Sequence, residues 1–104
     1  MKNSSLSKII GISCDFKFVE GMKRDKETWE KNPAHDFMLR QDQQMLDELT
    51  QEMAKEMLAN GWGFSEIADF IEKLRNTDYD RENEDALVTE LKKWVSEAEQ
   101  MAAA

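Results

Sequence analysis

From Ile10 to Phe18 apolar and polar residues alternate without a break, with Ile10, Ile12, Cys14, Phe16 and Phe18 on one side and Gly11, Ser13, Asp15 and Lys17 on the other. Apolar positions at period two, rich in β-branched and aromatic types, predict a half-buried β-strand or extended arm over about 9–19. The rival is a helix carrying Leu6, Ile9, Ile10 and Phe16 on one face, which places Ile12 and Phe18 awkwardly. Gly21 and the charged run after it end the segment. Residues 23–31 read as one or two helical turns carrying Trp29. Asn32-Pro33 then breaks the chain, because the proline ring disfavours helical geometry at the residue before it.

The remainder carries helical periodicity. A first helix is predicted from His35 or Asp36 to Ala59, since Met38, Leu39, Met45, Leu46, Leu49, Met53 and Met57 fall within an arc of about 120°. Asn60-Gly61 supplies the left-handed residue that commonly ends a helix. Ser65 is the expected N-cap of a second helix with Ile67, Phe70, Ile71 and Leu74 at i, i+3, i+4, i+7. After Asn76-Thr77-Asp78-Tyr79-Asp80, with Asp80 as the expected cap, a third helix runs from about Arg81 to Met101. Its stripe of Leu87, Val88, Leu91, Trp94, Val95, Ala98 and Met101 is uninterrupted by charge. The predicted fold is therefore mainly α, a three-helix bundle-like core (about 35–60, 66–75 and 81–101) preceded by the N-terminal strand or arm. The 104 residues are read as a single small domain: residues 1–33 arm and linker, 34–101 helical core, 102–104 a frayed tail.

A solitary strand changes the functional picture, because its backbone N–H and C=O groups have no mate on either side. Three remedies exist: pairing with a symmetry mate, adding to a partner's sheet edge, or not being a strand at all. The first two make residues 9–19 an interface, most simply an antiparallel ribbon in a homodimer. Asp42 points the same way. It projects near the middle of the first helical stripe, where a charge in a closed core costs several kcal/mol unless paired. Either the first turns of that helix lie beyond the core edge, or Asp42 meets a basic group on another chain. The methionines at 38, 45, 53 and 57 fit plain core packing or an adaptable binding groove. The candidate interface residues are Ile10, Ile12, Cys14, Phe16, Phe18, Met38, Asp42 and Met45.

Composition narrows the chemistry. The chain has 14 Lys+Arg against 22 Asp+Glu, a formal net charge of −8. The charge is uneven: residues 1–33 are net +2 and residues 34–104 net −10. An acidic tail repels nucleic acid and steers towards basic partners, and there is no basic stripe with interleaved aromatics, so no direct nucleic-acid binding is expected. One Cys and one His exclude an internal disulfide framework and a four-ligand N/S zinc site. No apolar run suits a secretory leader or a membrane span, and an unpaired Cys14 suits a reducing compartment, so a cytoplasmic location follows by elimination and no membrane partner is expected.

No cofactor site is expected. Cys14 and His35 are the one conventional nucleophile and base pair, but Cys14 stands in the apolar register and His35 at a helix start, both ordinary structural positions. Asp78, Asp80, Glu82 and Glu84 invite a calcium-loop reading, yet Asn83 stands where that loop wants Gly and Thr89 where it wants the bidentate Glu. Caps and helix N-terminal acids explain the same residues.

Residues 46–71, with Leu46 and Asp47 on a long amphipathic helix, then a short turn, Ser65, Glu66-Ile67 and Phe70-Ile71, resemble in outline the helical hook of the Sin-type repressors and anti-repressors. Thr50 stands where that family has an aromatic. The resemblance implies pairing with a similar hairpin on a transcriptional regulator. The leading expectation is a small acidic non-enzymatic protein–protein interaction module, a regulator, adaptor or inhibitor of a larger protein, with a basic partner the one its charge favours. The alternative is an acidic mimic that blocks a nucleic-acid-binding protein, although Lys55, Lys73, Arg75, Arg81, Lys92 and Lys93 punctuate its acidic half.

Overall fold

A computed structural model describes residues 2–28, 33–77 and 84–103, with the side chains of 2–6 and 102–103 left out of the description. Its elements are α1 (Lys2–Glu27), α2 (Pro33–Ala59), α3 (Phe64–Asn76) and α4 (Glu84–Ala103). The mainly α reading holds, but the N-terminal strand does not form.

Residues 9–19 lie inside α1, a continuous 26-residue helix, so the core among the described residues has four helices rather than three. The reason is pairing. A helix bonds its own N–H and C=O groups internally, whereas a lone strand cannot. At about 100° per residue, the alternating apolar positions spread round the α1 circumference, and α1 packs against each of the other three helices. Ile9, Phe16 and Val19 are buried, while Ile10, Ile12, Cys14 and Phe18 are half-buried.

Two polar positions of the alternation are also inside. Ser13 donates from Oγ to the Ile9 carbonyl at 2.7 Å and lies 3.5 Å from Met53 Sδ. Lys17 is buried and donates from Nζ to Glu20 Oε1 one turn on.

The α2 helix begins at Pro33, earlier than His35 or Asp36, as suits a residue whose fixed φ matches the first turn and whose missing N–H is not needed there. It ends at Ala59 as expected. Gly61 takes φ +85°, its N–H bonds to Leu58 O at 3.0 Å, and the Trp62 N–H bonds to Met57 O at 3.1 Å. These are the two bonds of a Schellman ending.

Ser65 is not the cap of α3. Gly63 holds the N-cap position in an extended conformation and Phe64 opens the helix, leaving Ser65 within the first turn. The Glu66 carboxylate folds back against Gly63, into the space a Cβ there would occupy. That brings a negative charge to the positive end of the helix. The proposed cap Asp80, the start of the last helix at Arg81, Trp29 and the loop residues 78–83 lie outside the described residues. The α4 helix continues through Ala103.

Burial follows the helical stripes. Leu46, Met53 and Met57 of α2, Ile67, Phe70 and Leu74 of α3, and Leu87, Leu91, Val95 and Ala98 of α4 join Ile9, Phe16 and Val19 in one cluster. Trp62 packs edge-on against Phe70 at 5.7 Å between ring centroids, and Phe70 against Trp94 at 6.3 Å, tying the α2–α3 connector to α4. Met101, placed on the α4 stripe by periodicity, is exposed.

Candidate functional site: the groove between α1 and α2

The two long helices run antiparallel. Lys8 Nζ is 3.4 Å from Glu56 Oε1, Ser13 meets Met53, Lys23 Nζ donates to Gln43 Oε1 at 2.7 Å, and Lys26 Nζ donates to Asp42 Oδ2 at 2.7 Å. This register sets Asp15 level with Glu52 and Met22 level with Met45.

One side of the pair forms a groove of about 330 Å³. The first wall is Asp15, Phe18, Val19 and Met22, and the second is Met45, Glu48, Leu49 and Glu52. Each wall is an i, i+3, i+4, i+7 set, so both present a continuous ridge along the axis. The floor is apolar, with Val19 buried, Phe18, Met22 and Leu49 half-buried, and Met45 exposed.

The rim is acidic and carries no cation. Glu48 accepts a long hydrogen bond from Gln44 Nε2 at 3.4 Å, but among the described residues none of Asp15, Glu48 and Glu52 has a cationic partner. Four α1 cations are engaged elsewhere: Lys8 with Glu56, Lys17 and Arg24 with Glu20, and Lys26 with Asp42.

The second face of the hairpin is different. A cleft of about 310 Å³ over Phe16 and Leu46 is lined by Lys23, Arg24 and Arg75 together with Glu20, Glu27 and Asp47. Cations and carboxylates there compensate one another, as Arg24 Nη2 does with Glu20 at 3.9 Å.

Asp42 lies at the edge of the core, as the first of the two expectations has it, and meets a basic group of its own chain rather than of another. It is buried, and its partner is Lys26, with the two side chains only 5% and 16% exposed. The His35 ring, also buried, meets the Lys26 carbonyl through Nε2 and donates there. The tip of the α1–α2 hairpin is thus closed by polar contacts on Lys26, beyond the end of the apolar cluster.

Of the eight candidate interface residues, the structure brings Phe18 and Met45 together in the groove. Phe16 and Asp42 are buried, and Ile10, Ile12 and Cys14 are half-buried against the core. Met38 is half-buried towards the hairpin tip. Met22, Val19 and the three rim acids were missed. Their signal is the i, i+3, i+4, i+7 spacing, from Asp15 to Met22 on α1 and from Met45 to Glu52 on α2, and the first of these reads clearly once α1 is helical.

Cys14 and His35 do not meet. Cys14 lies level with the far part of α2, and His35 sits at the other end of that helix, about 25 Å away at about 1.5 Å per residue. Burial pushes the Cys14 thiol above its ordinary value of 9.0, and the nearby Glu84 and Asp15 charges push it further. The group is a protonated thiol at neutral pH, the opposite of an activated nucleophile. Among the described residues no cluster of His, Cys, Asp and Glu could hold a metal ion, and the calcium-loop residues Asp78, Asp80, Glu82 and Asn83 lie outside them. Among the described residues no helix is long and apolar enough to cross a membrane.

Comparison with known proteins finds no family model, no curated protein and no solved structure that matches this chain. The hook at residues 46–71 exists as a local shape, the end of α2, the Gly61 turn and the start of α3.

Proposed function

We propose that this chain is a non-enzymatic protein–protein interaction module, a small regulator, adaptor or inhibitor, that binds through the face formed by α1 and α2. One observation carries the reading: an apolar trough between two helical ridges whose three rim carboxylates have no cationic partner among the described residues. Apolar side chains that remain accessible along a groove are the usual raw material of a protein interface. The self-pairing ribbon has lost its basis, because residues 9–19 offer no strand edge.

The alternative of an acidic nucleic-acid mimic has less support on this face. A phosphate-like array needs charge and no apolar floor, whereas here Phe18, Met22, Met45 and Leu49 separate the acids. Salt separates the two: a mimic's binding weakens steeply with ionic strength, and apolar docking changes little.

The test is affinity capture from native lysate with the intact chain and with Met45→Glu, which alters an already exposed position. Loss of specific partners from the variant, with unchanged helical circular dichroism, supports the reading. Capture of the same partners by both chains removes it.

A further inference from the structure

We propose that the α1/α2 groove receives a cationic amphipathic helix from another protein. Its apolar stripe would seat between Phe18 and Met22 on one side and Met45 and Leu49 on the other, with its Lys or Arg residues facing Asp15, Glu48 and Glu52. This rests on the interaction reading above and names the partner's chemistry.

Shape comes first. Two ridges spaced i, i+3, i+4, i+7 on antiparallel helices make a straight trough of the kind that takes a third helix, read by the incoming chain at the same spacing. The methionines on each wall are unbranched and polarizable, so the floor adapts to whichever aliphatic or aromatic residues enter.

Charge selects the occupant. The three rim acids stand on both walls, Asp15 and Glu52 level with each other at one end and Glu48 midway, with no cation lining the groove. A second copy of this chain would set its own three rim acids against them, on a molecule already at net −8, so self-association through this face is opposed by like charge. An acidic or neutral helix would leave the rim charges facing no partner. A helix with basic flanks gains an opposite charge at each position, and electrostatic steering of the encounter as well.

The decisive experiment is fluorescence anisotropy with the full chain and three synthetic peptides. The first carries leucines at i, i+3, i+4, i+7 flanked by lysines, the second is the same composition scrambled, and the third replaces each lysine by glutamate. The first should bind at least tenfold more tightly than the scrambled peptide, and the glutamate peptide should not bind. The double variant Glu48→Lys/Glu52→Lys should weaken the first peptide at least tenfold at low salt. A charge-matched control on exposed positions elsewhere, Glu72→Lys/Glu97→Lys, should change it less than threefold. Met45→Ala should weaken it several-fold at low and high salt alike.

Equal binding of the scrambled peptide, or equal losses from the two double variants, would mean diffuse attraction to a polyanion and overturn the proposal. So would concentration-dependent dimerisation that Met45→Ala abolishes, which would give the groove to a second copy. If the lysine peptide fails while Met45→Glu still loses partners from lysate, the occupant class is wrong and the interaction reading stands. If Met45→Glu loses none, the reading itself fails.

Discussion

Removing Lys26 should cost more than removing its partner Asp42, and the asymmetry follows from where each side chain can go. The pair is 2.7 Å apart, and the Asp42 side chain is only 5% exposed against 16% for Lys26. In Lys26→Ala the short carboxylate stays inside without a cation. Breaking a buried pair this way costs about 3–5 kcal/mol, and the position at the edge of the core argues for the low end, about 3 kcal/mol. In Asp42→Ala the lysine can extend its ammonium to water along its flexible stem, so the loss is that of one charged hydrogen bond reduced by resolvation, about 1–1.5 kcal/mol. The double alanine variant should lose about 2 kcal/mol, well below the sum, giving a coupling energy of about 2 kcal/mol. Replacing both by apolar residues of similar size, Lys26→Met/Asp42→Leu, should come within about 1 kcal/mol of the parent. Urea unfolding followed by circular dichroism reads all four, and the Lys26→Ala loss corresponds to a fall in Tm of roughly 12 °C for a chain of this size. Equal single losses that add within about 0.5 kcal/mol would show that the two groups do not depend on each other, and the account of the hairpin tip would be wrong.

Gly61→Ala should destabilise by about 1–2 kcal/mol in urea, because φ is +85° and a Cβ there meets nothing within 4 Å, so the whole loss is backbone strain. Met53→Ala removes a fully buried side chain that Ser13 also touches and should cost about 2–5 kcal/mol, with Met53→Leu costing less than about 1.5. The raised Cys14 thiol should react with a disulfide reagent at pH 8 far more slowly in the native chain than in urea. The same shift has a sign for stability: as pH climbs past the ordinary thiol value of 9.0, the unfolded chain loses its proton first, so folding stability should decline there. A Cys14→Ala variant should show a shallower alkaline decline in the same titration.

Periodicity located α2, α3 and α4 because each buries one stripe and keeps one wet side, the condition under which a 3.6-residue repeat is visible. Asn60-Gly61 fixed the α2 terminus because only a left-handed residue makes that ending easily. The first helix was illegible for the opposite reason. It is covered by three neighbours, so its apolar residues spread over much of its circumference, and Ser13 and Lys17 are buried among them. A chance alternation then outweighed a blurred helical pattern. The missing second strand was the usable clue, and of the three remedies for a lone strand the right one was that it is not a strand.

The groove was half legible. Phe18 and Met45 stand among the candidate interface residues, while nothing in the sequence groups Asp15, Glu48 and Glu52 until the antiparallel register brings two helices side by side. Asp42 was correctly marked as a charge needing company. Its companion escaped notice because nothing in the sequence says that residue 26 returns to residue 42.

The central position of α1 also bears on how the chain is made. The helix that meets each of the other three described helices is synthesised before them, yet Ile9 and Phe16 share their cluster with Leu91 and Val95 of α4. Until α4 has been synthesised, those side chains have no complete shelter, and closing such distant contacts is slower than zipping a local hairpin. A nascent chain stalled before α4 should therefore be the form most readily captured by chaperones and proteases.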